Sequence, residues 1–135
     1  MLATINARGE RWHGPVPANA AVVDWLSYEQ VMPAAALVVT TGGHGTVARS
    51  LAAGRPVLVW PAGADTAENG ARVTWAGAGL SVPRRLQGRG ALRGAARRLL
   101  GDPRFTNRAG EIAAWARHND GAARGADLVE GYARR

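Results

Sequence analysis

The chain has 135 residues, 47% of them hydrophobic and 20% charged, which suits one packed domain of ~100–200 residues and excludes a disordered chain. It has no cysteine, which rules out a disulfide scaffold, a thiol nucleophile and cysteine-ligated zinc. The net charge of +7 is carried entirely by arginine, and it is uneven: residues 1–83 hold five arginines and five acids, residues 84–135 twelve arginines and five acids. Arginine without lysine, beside abundant alanine and glycine, is what a GC-rich coding sequence produces, so no nucleic-acid partner is expected from charge alone. The three histidines, His13, His44 and His118, lie far apart without metal-ligand spacing, and no metal site is expected. The apolar runs at 34–39 and 57–60 are far short of the ~20 residues of a membrane span, and no basic segment precedes an apolar stretch at the N-terminus. A soluble, cytoplasmic domain without a membrane span is therefore expected.

Taken in chain order, residues 1–6 and 20–24 read as strands. Ser27 is placed to cap a short helix ending near Pro33. Residues 37–40 (Leu-Val-Val-Thr) and 57–60 (Val-Leu-Val-Trp) are continuous apolar runs bounded by glycine or proline, the pattern of parallel strands covered on both faces. Between them, residues 46–53 carry Val47 and Leu51 at i, i+4, and Gly54 stands where a left-handed helix stop belongs. A further helix over 66–76 stops at Gly77, and 80–82 is a last, weaker strand. Strands alternating with helices imply parallel crossovers and a doubly wound α/β sheet.

From Gly90 the pattern is helical throughout. Leu92, Ala95, Ala96 and Leu99 form an apolar face, and Arg89, Arg93 and Arg97 repeat at i, i+4 on the other side. Asp102-Pro103 is an N-cap followed by proline at the first helical position, and the helix it starts is expected to bury Phe105, Ala109, Ile112 and Trp115. Asp120 is placed to cap a last helix through Leu128, Val129 and Tyr132. The chain thus reads as one partial domain, an α/β part over 1–83 and a helical tail over 84–135. Val47, Leu51, Leu92, Leu99 and Ile112 are read as core.

The segment richest in chemistry is 37–47, an apolar strand running into Thr41-Gly42-Gly43-His44-Gly45-Thr46 and then a helix. Glycines allow a phosphate to approach the backbone, and the free N–H groups of the first helical turn, with the helix dipole, stabilise negative charge. Thr46 adds a hydroxyl donor. Neither standard nucleotide motif, G-x-G-x-x-G or G-x-x-x-x-G-K-[ST], is present, and an ordinary strand-to-helix turn would need glycine as well.

Around this turn stand Val22-Val23-Asp24-Trp25, the run 51–56 (Leu-Ala-Ala-Gly-Arg-Pro), the second strand, Pro61, and Gly63-Ala64-Asp65-Thr66-Ala67-Glu68-Asn69. The order resembles the donor-binding box of nucleotide-sugar glycosyltransferases with two facing Rossmann-like domains, the GT-B fold. The likeness is greatest to the bacterial branch that decorates macrolides and other natural products, related to the plant UDP-glycosyltransferases. It is strong over 22–69, and its spacing continues through Arg72-Val73, Gly77-Ala78-Gly79 and Leu99-Leu100-Gly101-Asp102-Pro103. The fold implied is an incomplete doubly wound parallel sheet, the Rossmann-like half of a GT-B fold, with a helical C-terminal tail.

The resemblance implies roles residue by residue. Trp25 would stack on the nucleotide base, with Tyr28 where the family often has a glutamine touching the same base. Gly43, His44, Gly45 and Thr46 would hold the diphosphate. Asp65 would bind donor-sugar hydroxyls, with Thr66 in the place of a usual glutamine and Asn69 nearby. Two departures bear on the ligand: Thr41 stands where a phosphate-contacting histidine is common, and Arg49 where a glutamate often binds the ribose. Arginine has no acceptor for those hydroxyls, so Arg49 points to a phosphate or to a different nucleotide.

The implied donor is a nucleotide-diphosphate sugar, bound as substrate without a metal or other cofactor. No residue reads as a catalytic base. The family's acceptor-binding domain, with its catalytic pair, and the first strand of the donor domain have no counterpart here. A partner domain or separate acceptor-binding subunit is therefore implied, together with an unpaired sheet edge that favours self-association. Two other readings stay open. One is a non-catalytic module for another phosphate ligand or a protein, and the other a basic nucleic-acid binder using Arg89, Arg93, Arg97 and Arg98.

Overall fold

In the computed structural model, residues 1–4, 12–63 and 65–134 are described; the last two positions of the first predicted strand, and Ala64 in the second loop, lie outside them. The strand predicted at 57–60 is the centre of the fold. It forms β4 (Val57–Val59), whose three side chains are completely buried. Alternate residues of a strand point to opposite faces, so an all-apolar strand needs cover on both. Val57 and Val59 pack with Val47, Val73 and Leu51 on one face, while Leu58 packs with Val82 and Leu99 on the other. Each of these burials contributes roughly 1.5–3 kcal/mol.

Parallel neighbours flank it, in the order β3 (Val38–Thr40), β4, β5 (Gly79–Ser81), with Val38 opposite Val57 and Val57 opposite Gly79. A side chain at Gly79 would place its Cβ 2.0 Å from the Val57 carbonyl oxygen, so glycine is required where β5 meets β4. The first two strands, β1 (Leu2–Thr4) and β2 (Ala21–Val23), pair in parallel as a separate two-stranded sheet. All five predicted strands are present, but in two hydrogen-bonded sets. Among the described residues β3 pairs only with β4, and Val39 is 53% exposed, so an open edge remains.

The helices cover both faces of the three-stranded sheet. Helix α1 (Tyr28–Val31) is a single turn continued by a 3₁₀ turn at Met32–Ala34. Ser27 stands at its N-cap position but its hydroxyl makes no cap; its carbonyl instead accepts from Gln30 and Val31. Helices α2 (His44–Ala52) and α3 (Thr66–Trp75) lie on the Val57 and Val59 face, and α4 (Arg89–Gly101) on the Leu58 face. Gly54 and Gly77 follow α2 and α3 with φ of +72°, the left-handed stops the sequence signalled.

Helix α5 (Pro103–His118) packs against α2 and α4, with Ala109 and Ala113 buried and Phe105 joining the Leu58 cluster. Asp102 caps it as predicted, accepting from the Arg104 N–H at 3.1 Å. Trp115, expected in the core, is 66% exposed, because the buried line of α5 runs through Ala109 and Ala113 and turns the indole outward. Ile112 is only half-buried for the same reason. Helix α6 (Gly121–Ala133) is capped by Asp120, which accepts from Ala122 and Ala123, and leaves Leu128, Val129 and Tyr132 exposed. None of these helices is long and apolar enough to cross a membrane.

Candidate functional site

Ligands of open parallel sheets bind beyond the carboxyl ends of the strands, and here the loops after β3 and β4 meet there. The chain leaves β3 at Thr40, whose hydroxyl accepts from the Gly42 N–H at 3.2 Å. Gly42 has φ of +98°, and a Cβ on it would lie 2.7 Å from Val59 and 2.8 Å from the Thr66 carbonyl. Only glycine makes this turn. Helix α2 then begins at His44, two residues earlier than the sequence suggested, with Gly43 as its N-cap.

That earlier start changes which N–H groups are open. Thr46 and Val47 both donate to the Gly43 carbonyl at 3.1 Å, so the Thr46 N–H is already committed. Among the described residues nothing accepts from the N–H groups of His44 and Gly45, and the Thr46 hydroxyl makes no hydrogen bond. Within α2 the fully buried Ser50 donates to the Thr46 carbonyl at 2.7 Å. The exposed turn therefore offers two free amides and a hydroxyl at the positive end of a helix.

Arg49 sits one turn along the same helix and folds back over this end. Its Nη1 lies 3.6 Å from the point a Cβ on Gly45 would occupy, and its guanidinium carbon is 6.0 Å from the centre of the Tyr28 ring. Stacking on an aromatic face steadies a guanidinium without neutralising it. Tyr28 is half-buried as the first residue of α1, and Trp25, 70% exposed, stands between β2 and α1. No hydrogen bond or ring contact joins Trp25 to the other candidates.

The loop after β4 is tied to the first by a single side chain. Asn69 Nδ2 donates to the Gly42 carbonyl at 2.9 Å and lies 3.3 Å from the Asp65 carboxylate. Asp65 occupies the N-cap of α3 without capping it, and its carboxylate is exposed. The Thr66 hydroxyl is engaged by both the carbonyl and the N–H of Gly63, closing the loop on itself. The amide nitrogen of Asn69 and the hydroxyl of Thr66 thus have partners within the protein, and the exposed Asp65 carboxylate accepts from Asn69. Sequence reasoning missed Thr40 and the bridging role of Asn69. The threonine before a Gly-Gly turn was the available signal for the former. Among the described residues no group of three or more histidines and carboxylates gathers to hold a metal.

The sequence matches the family "Erythromycin biosynthesis protein CIII-like, C-terminal domain" over residues 1–122. The chain belongs to this family. Among curated relatives, the 4'-demethylrebeccamycin synthase of Lentzea aerocolonigenes is 34% identical over 117 residues, 87% of this chain and 28% of that protein. Among solved structures, the glycotransferase of kitacinnamycin superposes with a TM-score of 0.84 at 28% identity, covering 96% of this chain and 34% of that one. The glycosyltransferase VinC, solved in complex with DTDP, has a TM-score of 0.69 at 30% identity over 74% of this chain and 25% of its own. The fold is accordingly the Rossmann-like half of a GT-B glycosyltransferase. This CIII-like domain spans about a third or less of the length of these three relatives.

Proposed function

We propose that this CIII-like domain binds the nucleotide-diphosphate sugar of a glycosyltransferase and stabilises the diphosphate as it leaves. The observation that carries the reading is the α2 N-terminus, where the open N–H groups of His44 and Gly45 lie beside the Arg49 guanidinium. In glycosyl transfer an acceptor hydroxyl attacks the anomeric carbon, the bond to the diphosphate breaks, and negative charge grows on the departing phosphate oxygens. Fixed donors aimed at that charge lower the barrier without a metal. In this reading Arg49 supplies the positive charge that Thr41 lacks, and the Thr46 hydroxyl meets one phosphate.

The neighbouring groups divide the rest of the donor. Trp25 and Tyr28 take the base, with Arg49 at the ribose-phosphate junction. The exposed Asp65 carboxylate accepts from sugar hydroxyls, with Thr66 and Asn69 fixing the loop that carries it. That one structural relative was solved with DTDP agrees with a nucleoside diphosphate as ligand. The acceptor and its activating base would come from an acceptor-binding domain or subunit, and the transfer itself belongs to that assembly.

Calorimetric titration of the domain with UDP, TDP and GDP tests the reading. We expect saturable binding of one nucleotide, weakened roughly tenfold or more by Arg49→Ala, as befits a charge-assisted contact, and less by Thr46→Val. Absence of binding by the folded domain, or binding indifferent to Arg49→Ala, would overturn it.

A further inference from the structure

The arginines of this protein fall into two kinds. Arg72, Arg104, Arg108 and Arg134 each pair with a nearby acid, namely Glu68, Asp102, Glu111 and Glu130. Among the described residues those on α4 and the turn before it do not, and neither do Arg49, Arg55, Arg117 and Arg124. Residues 84–101 contain six arginines and no acid, so this segment alone accounts for six of the seven net charges. All six are exposed, and the side chains of Arg84, Arg85, Arg89, Arg93 and Arg97 have no hydrogen bond or ion pair among the described residues. Like charges at i, i+4 weaken a helix, so the fold gains nothing from repeating Arg89, Arg93 and Arg97. A GC-rich coding bias does not explain it, since the same chain supplies acids to α3, α5 and α6.

The glycines of α4 add an independent oddity. At 3.6 residues per turn, Gly90, Gly94 and Gly101 fall opposite Leu92 and Leu99, which face the sheet. Nothing lies within 4 Å of where a Cβ would stand at any of the three. Glycine is among the least favourable residues in a helix interior, where Gly94 stands, with Gly90 and Gly101 in the first and last turns. Gly110, Gly125 and Gly131 on α5 and α6 are equally open, but no repeat of unpaired arginines flanks them. The outer face of α4 is thus a bare backbone strip walled by Arg89, Arg93 and Arg97 on one side and Arg98 on the other.

We propose that this face docks an acidic helical segment of a partner protein. The glycine strip lets a second helix approach closely. The three arginines rise by ~12 Å over eight residues, so carboxylates repeated at i, i+4 on the incoming helix meet them in register. Phosphate chains would use the charge but not the strip. The other residues between Arg89 and Arg98 are only glycine, alanine and leucine, with no aromatic side chain on which a base could stack.

The test is a titration with a synthetic alanine-based peptide of about 20 residues, long enough to be helical, with glutamates at i, i+4 and i+8 on one face. The controls are an isomer with the same glutamates spread around the helix, and a DNA duplex of about 20 base pairs, whose binding would be phosphate-driven. We expect saturable, salt-sensitive binding of the first peptide. Arg93→Glu with Arg97→Glu should weaken it by roughly tenfold or more, and Gly94→Leu should weaken it with the charge intact. Neither change threatens the fold: the first replaces two like-charge pairs by one opposite-charge and one like-charge pair, and the other raises helix propensity, which circular dichroism verifies. No binding of the facing peptide, equal binding of the spread isomer, indifference to Gly94→Leu, or tighter binding of the duplex at the same salt would each overturn the proposal.

Discussion

The two halves of this CIII-like domain are built by different physics. In the α/β half, the glycine turn of the site is held by partners distant in sequence: Asn69 ties Gly42 across 27 positions, and Val59 and Thr66 confine Gly42. In the helical tail the polar contacts are mostly local, such as Asp102 with Arg104, Arg108 with Glu111 and Arg134 with Glu130. The first half is electrically balanced and carries the candidate site, and the second carries the charge. Non-local contacts fix a geometry to which distant loops contribute together, whereas local ones fix only that a helix forms.

The contrast predicts where substitutions hurt. Leu58→Ala should destabilise the domain by about 2–5 kcal/mol, the cost of a cavity in a fully packed core. Leu128→Ala, on the exposed face of α6, should change stability by less than ~0.5 kcal/mol. Urea unfolding of the two variants compares the halves directly, and equal effects would erase the distinction.

At the site itself, Gly42→Ala should cost about 1–3 kcal/mol, because it forces a side chain into a left-handed turn already filled by Val59 and Thr66. Nucleotide binding should fall with it. Asn69→Leu is a finer probe: it keeps the size and removes the donor to the Gly42 carbonyl without setting a second carboxylate beside Asp65, and should cost about 1 kcal/mol. On the proposed reading it should also lower nucleotide affinity while leaving the far-UV spectrum intact, since the two loops would lose their link.

The tail gives the smallest effect, and a pH-dependent one. The Arg104 side chain, with help from its N–H, holds the Asp102 carboxyl below its ordinary value. A carboxylate whose pKa is depressed on folding contributes stability above its unfolded pKa and loses it as pH falls through the folded one. The first turn of α5 should therefore persist below the ordinary carboxylate range and fray only at lower pH. Following the Arg104 amide by NMR against pH checks this, and Asp102→Ala should abolish the transition.

The sequence by itself determined the order of strands and helices, the helix stops at Gly54 and Gly77, and the caps at Asp102 and Asp120, but read 37–40 and 57–60 alike as covered strands, of which only the second is buried. The order, stops and caps depend on apolar runs and on residues one to four apart, which a linear reading sees. It also pointed to the turn at 41–46 and to the family, because both are written as contiguous motifs. Only the tertiary structure decided that β1 and β2 pair apart from the other three strands, that Trp115 faces outward, and that Asn69 serves Gly42. It alone set the start of α2 at His44, and with it which amides stay open. It also brought Arg49 onto Tyr28 and against Gly45. These outcomes turn on which surfaces meet across distant parts of the chain, and neither local propensity nor hydrophobic period contains that information.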